Sequence, residues 1–149
     1  MICDSFTSPY GDFIIEEQKG KVVRIYPGSL EKHETSTVST LCKNQLTEYF
    51  EGKRKQFDVP VFFTGSTFQI KVWKEVLKIP YGQTKSYQEI AELIGNPKAS
   101  RAIGMAVHKN PIPFIIPCHR VIGKNGSLTG YAYGLSLKKE LLEMEKKYD

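Results

Sequence analysis

The chain has 149 residues, 40% hydrophobic and 25% charged, a balance that excludes extensive disorder and suits one compact domain or two small units. No apolar run approaches the roughly 20 residues of a membrane helix, and residues 1–10 lack a basic segment followed by an apolar one, so neither a membrane span nor a signal peptide is expected and the cytosol (or a nucleus, in a eukaryotic source) is the expected location. The net charge of +5 is uneven, because residues 1–63 carry 8 Lys+Arg against 9 Asp+Glu whereas residues 64–149 carry 13 against 7, which makes the second part the one suited to meet a polyanion.

Along the first part, Phe13–Ile15 and Val22–Tyr26 are short β-prone runs separated by Gln18-Lys19-Gly20-Lys21. A polar turn containing glycine between two such runs predicts a hairpin. Leu41, Gln45, Leu46 and Tyr49 recur at helical spacing and predict a helix over about 39–50. Val59–Phe63 is a further β-prone stretch. The expected architecture is α+β, with a small α/β domain over 1–63 and a mainly helical domain over 64–149.

Four helices are legible in that second domain. Ser66-Thr67-Phe68-Gln69 and Ser86-Tyr87-Gln88-Glu89 each pair a hydroxyl cap with Gln or Glu three residues on, the capping-box pattern. The first opens a helix with Phe68, Val72, Val76 and Ile79 on one side, ending before Pro80-Tyr81-Gly82. The second opens a short helix with Ile90, Leu93 and Ile94, stopped by Gly95. Asn96 then reads as a cap and Pro97 as the first helical residue of a third helix running to about Lys109. Helix, tight turn, helix over 86–109 is a helix-turn-helix pattern. A last helix begins near Ser136.

Three prolines and many apolar residues lie between the third and fourth helices, in the run from Asn110 to Gly123. They predict a stiff, extended, buried stretch around Cys118, followed directly by His119 and Arg120. An ordinary cysteine has a pKa of roughly 8.5 and needs a base and nearby positive charge to act as a nucleophile. In the last helix Leu137, Leu141, Glu145 and Tyr148 share one stripe. Either Glu145 faces solvent near the helix end, or it is buried and needs a partner such as an imidazole. The second case gives a Cys118–His119–Glu145 relay, with Glu145 orienting His119 and His119 taking the thiol proton. Cys3, His33 and Cys42 fit no standard metal-ligand spacing, and no CxxC occurs, so no metal, zinc knuckle or disulfide framework is expected.

The run Ile116-Pro117-Cys118-His119-Arg120-Val121-Ile122-Gly123 resembles the active-site signature of the O6-alkylguanine-DNA alkyltransferases, the methylated-DNA–protein-cysteine methyltransferases. Its companions Val72-Trp73, Ile79-Pro80-Tyr81-Gly82, Ser86-Tyr87, Gly95-Asn96-Pro97, Arg101-Ala102-Ile103-Gly104 and Asn110-Pro111 stand in the family's order. The resemblance covers about residues 65–145. It implies a ribonuclease-H-like N-terminal domain and a winged-helix-like C-terminal one. It further implies single-turnover, irreversible transfer of an alkyl group from O6-alkylguanine, and secondarily O4-methylthymine, in double-stranded DNA to Cys118. No cofactor or membrane is implied, and the protein is expected to be a monomer that binds DNA with or without cooperativity.

By the same resemblance His119 acts as base through a water, Glu145 orients it, and Asn110 bridges the helix-turn-helix to the active-site segment. Tyr87 rotates the target phosphate and gives a proton to the guanine. Arg101 is the finger that fills the base stack, and Ala99, Ser100 and Ala102 lie against the minor groove. Tyr131, Ala132, Pro113 and Val121 line the substrate pocket, and backbone N–H groups of the Gly130–Gly134 loop stabilise the leaving base. Ala132 and Tyr133 stand where some members carry Ser and Gly, which removes a hydrogen bond and narrows the pocket. Pro113 matches a proline that in other members packs on bulky alkyl groups and favours them, whereas Tyr133 stands in their way, so methyl is the expected substrate and benzyl-sized groups are not expected to be accepted.

Overall fold

Three antiparallel strands open the chain: β1 (Ile2–Ser8), β2 (Gly11–Gln18) and β3 (Lys21–Pro27), in spatial order β1-β2-β3. This computed structural model describes residues 1–128 and 131–149. The expected hairpin is β2–β3, with Lys19 and Gly20 at positive φ in the turn. β1 was not expected from the pattern. Its inward positions include Asp4 as well as Phe6, so the apolar alternation that marks a half-buried strand is broken by a charge. That carboxylate is satisfied by Ser39 Oγ at 2.7 Å and Lys43 Nζ at 2.9 Å.

Helix α1 (Thr37–Phe50) is closed at its start by a Ser36/Ser39 capping box and buries Cys42, Gln45, Leu46, Tyr49 and Phe50. Leu41, expected on the inner face, is exposed. Gln45 is the polar member of that face, and its Oε1 accepts from the Asp58 N–H at 2.9 Å. The Val59–Phe63 stretch forms no strand. It makes one parallel bridge, Val22 to Val61, with Val22 N–H donating to Pro60 O and Phe62 N–H to Val22 O. Pro60 has no N–H to extend the ladder on its own side.

Helix α2 (Thr67–Val76) carries the Ser66/Gln69 capping box and buries Val72, Trp73 and Val76. Trp73 is almost wholly buried, and its indole N–H donates to Ala106 O at 2.9 Å, which ties α2 to the helix that contains Ala106. The two-residue strand β4 (Lys85–Ser86) leads into α3 (Tyr87–Leu93), capped by Ser86 and Glu89. Ile90 and Ala91 are buried, whereas Leu93 points outward at 54% exposure. Gly95 stops the helix at φ +80°, a conformation that disfavours any side chain.

The next helix starts later than expected. Asn96 and Pro97 form a turn closed by Ala99 N–H to Asn96 O at 3.0 Å, and α4 runs Ser100–His108 behind Ala99, which makes no side-chain cap. Pro97 therefore fixes a turn rather than a helix start, a role for which its φ suits it equally well. Helix α4 buries Ile103, Ala106 and Val107. Strand β5 (Val121–Ile122) pairs in parallel with β4, and α5 (Leu135–Tyr148) buries Lys138, Leu141, Met144 and Glu145.

Contacts divide the described residues into two units, Met1–Thr64 with Pro111–Pro113, and Gly65–Asn110 with Phe114–Asp149. Among the described residues no helix is long and apolar enough to cross a membrane.

Candidate active site

Cys118 does not sit in extended chain. Residues Cys118–Arg120 form a 3-10 turn, held by Cys118 N–H to Ile116 O at 2.7 Å and Arg120 N–H to Pro117 O at 2.9 Å. Just before it, Phe114 is buried at φ +71°, an uncommon conformation for an aromatic residue that the surrounding packing must hold. The turn changes the side-chain geometry expected of a strand. Successive side chains leave about a third of a revolution apart instead of on opposite faces, so Cys118, His119 and Arg120 all enter the interior, each 5% exposed or less.

Glu145 lies fully buried on α5, so of the two cases open in the sequence the paired one holds. His119 Nε2 stands 2.6 Å from Oε2. Arg120 donates from Nε to Oε1 at 2.8 Å and from Nη2 to Oε2 at 3.0 Å. The Gly82 N–H donates to Oε1 at 3.2 Å. Burial alone would raise the carboxyl pKa, but the hydrogen bonds and charges of His119 and Arg120 outweigh it and hold it near about 2. An ionised carboxylate only accepts hydrogen bonds, so the shared proton belongs to His119 Nε2. Tyr148, expected on the same stripe, is 41% exposed, since the helix's last turn runs into solvent.

Around Cys118 the balance differs. Burial pushes its thiol well above the ordinary range, while a hydrogen bond from the Asn110 side chain and the Lys138 ammonium pull the other way. The net direction favours the neutral thiol. Asn110, buried, also donates from Nδ2 to Ile116 O at 2.9 Å, so one side chain at the end of α4 steadies both the turn and the sulfur. Lys138 is fully buried and donates from Nζ to Val121 O; burial lowers its pKa to about 8. Its Nζ lies 5.9 Å from the Tyr87 ring centroid. Burial also keeps His119 below its usual value, with Arg120 and Lys138 adding to that and Glu145 opposing it.

The expected site residues fall into groups. His119 pairs with Glu145 and Asn110 with Cys118, and the 3-10 turn places the two pairs side by side. Tyr131 is buried edge-on to His119 and Tyr133, with ring centroids 6.5 Å and 5.6 Å apart, and its hydroxyl has no hydrogen-bond partner among the described residues. Ala132 is exposed, and Val121 is fully buried in β5. Gly130, expected to contribute to the leaving-group loop, lies outside the described residues. Pro113 is buried and groups with the first unit.

Tyr87, Ser100, Arg101, Gly104, Met105, His108 and Lys109 line a groove of about 440 Å³ beside α4. Arg101 and Ala102 are exposed on that helix, and Ala99 and Ser100 are half-buried at its start. Three residues now in the site had no assigned place from the sequence: Arg120, Gly82 and Lys138. The signal for Lys138 was its spacing, three before Leu141 and seven before Glu145, which puts it on their stripe.

Two family models match the chain. The ribonuclease-like domain of 6-O-methylguanine DNA methyltransferase matches residues 1–63, and the DNA binding domain of that family matches residues 67–147. The methylated-DNA–protein-cysteine methyltransferase of Methanosarcina acetivorans is 45% identical over 94% of this chain and 95% of its own length. The inducible enzyme of that name from Bacillus subtilis is 50% identical over 82% of this chain and 68% of its own. Mycobacterium tuberculosis OGT, solved in complex with DNA, superposes with a TM-score of 0.91 at 39% identity, covering 98% of this chain and 93% of that one.

Proposed function

The chain belongs to the 6-O-methylguanine DNA methyltransferase family, and from that membership we infer that it repairs DNA by moving the alkyl group of O6-alkylguanine onto its own Cys118, once per molecule. The observation that carries this reading is a buried cysteine in the same turn as a histidine whose Nε2 is held 2.6 Å from an ionised glutamate. That arrangement leaves His119 Nδ1 to take the thiol proton, by way of the bridging water the family resemblance implies.

The alkylated oxygen is out of reach inside a duplex, so the nucleotide is turned out of the stack. Arg101, exposed at the start of α4, fills the gap, while Ala99, Ser100 and Ala102 allow close approach to the minor groove. That groove carries a degenerate hydrogen-bond code, which suits a protein that must act in any sequence context. The sulfur attacks the alkyl carbon in line, the S–C bond forms and the C–O6 bond breaks. The departing guanine takes a proton from Tyr87, and the Lys138 ammonium near that ring stabilises the phenolate until it is reprotonated. Tyr131, whose buried hydroxyl is uncommitted among the described residues, hydrogen-bonds near the guanine oxygen. A thioether has no leaving path here, so the reaction ends with the alkylated protein. The chain acts as a monomer in the cytosol, or in a nucleus where there is one, and needs no cofactor.

Incubation with duplex DNA carrying O6-methylguanine, followed by intact mass measurement, tests this. The protein gains one methylene on Cys118 and stops there, and Cys118→Ala gains nothing. An unchanged wild-type mass with retained lesion binding would make the chain a non-catalytic lesion binder instead.

A further inference from the structure

Glu145 has about four lone-pair positions to offer, and all four are taken: one by His119, two by Arg120 and one by the Gly82 N–H. Arg120 is itself fixed. It is 5% exposed, its Nη1 donates to Ile79 O at 2.8 Å, and its guanidinium carbon lies 5.6 Å from the Tyr81 ring centroid. Planar bidentate contact of this kind sets both the position and the charge state of a carboxylate. A His–Glu pair without it could share its proton between the two partners, or rotate so that the other imidazole nitrogen meets the carboxylate.

We propose that Arg120 is a positioning residue for alkyl transfer: its fork keeps Glu145 a carboxylate locked on His119 Nε2, which fixes Nδ1 as the basic nitrogen for the Cys118 thiol. The inference rests on Cys118 as alkyl acceptor and adds a member to its relay. Two consequences follow. The proton taken from the thiol stays on His119 and goes no further, because the carboxylate is saturated. The guanidinium also keeps His119 neutral at a lower pH than a lone Glu145 partner would allow, the direction in which its charge acts. Among the described residues, the other charged or titratable groups that act on His119, Glu145 or the rings beside them are Lys138 on α5, Tyr81, Tyr131, Tyr133, Tyr148, Asp149 and Cys118 itself.

The test is the pH dependence of the alkyl-transfer rate, read by intact mass for wild type, Arg120→Met and Arg120→Lys. In Arg120→Met the rate falls by about tenfold or more, and the pH at which it is lost in acid moves up by about one unit, because His119 protonates more readily beside an unneutralised carboxylate. Arg120→Lys keeps the charge and loses the fork, so it retains the wild-type acid limb with only part of the rate. A folded Arg120→Met with the wild-type acid limb overturns the proposal. If neither variant folds, nitrogen-15 and carbon-13 NMR of the unmodified protein decides. His119 is expected as the Nε2–H tautomer and Glu145 not to titrate near ordinary glutamate values, and the Nδ1–H tautomer or a Glu145 titration near about 4.3 overturns it. Failure of wild type to gain any mass would instead count against Cys118 as acceptor, and the NMR result would still stand or fall alone.

Discussion

At the residue scale Lys138 has the clearest measurable consequence. A fully buried ammonium is costly unless compensated, and its pKa is lowered from 10.5 to about 8 by burial. Below pH 8 the folded protein holds the buried charge, and the penalty is fully present. Between 8 and 10.5 the folded lysine is neutral while the unfolded one remains protonated, so stability rises with pH across that window. The shift corresponds to about 3 kcal/mol. Lys138→Met is therefore expected to be more stable than wild type at pH 7 and to lose the alkaline rise, as seen in urea unfolding at pH 7 and pH 10. The same substitution removes the cation that draws Cys118 toward thiolate, so alkyl transfer slows. A variant that kept either the alkaline rise or the wild-type rate would contradict this. Glu145 was legible in the sequence because a carboxylate on an apolar stripe is an anomaly. Lys138 was not, because lysines on a helix are ordinarily solvated and the chain places Lys139 beside it.

At the scale of elements, chain segments that carry their own stop and start chemistry were legible, and segments defined by distant partners were not. The two capping boxes expected from Ser66 and Ser86 are formed, since each is a contract between residues three apart. Strand β1 was hidden by Asp4, whose burial depends on Ser39 and Lys43 far along the chain. Prolines restrict φ without specifying which turn follows, so the run around Cys118 has the sequence of an extended segment although it forms a 3-10 turn. Helix α3 has only 7 residues, and Tyr87 is its first. Ser86→Ala removes its cap and costs about 1 kcal/mol. Ser36→Ala, which removes the cap of α1, costs a similar amount by the same reasoning. The two are expected to differ in function: fraying at Tyr87 lowers the alkyl-transfer rate at saturating DNA, whereas Ser36→Ala leaves it near wild type. Equal rates in the two variants, with both destabilised, would show that Tyr87 does not depend on its cap.

For the molecule as a whole the charge pattern decides how it meets DNA. The first unit holds 8 Lys+Arg against 9 Asp+Glu and the second 13 against 7, and Arg101 and Lys109 lie along the groove beside α4. Each phosphate neutralised releases condensed counterions, so the logarithm of duplex affinity falls with the logarithm of salt by roughly 0.9 per contact. Wild type is expected to lose affinity steeply with salt, and Lys109→Ala to lose about one contact's worth of that slope. Arg101→Ala behaves differently if it fills the base stack. It weakens transfer from duplex DNA severalfold or more, yet leaves the reaction with free O6-methylguanine base close to wild type, because the free base needs no extrusion. Salt dependence and the two substrates together separate three physical roles: a phosphate contact changes the slope, a stacking finger changes duplex repair alone, and a damaged active site slows both substrates. Equal loss on duplex and free base for Arg101→Ala would move it from the second role to the third. A flat salt response for wild type would mean that the positive unit is not what holds the DNA.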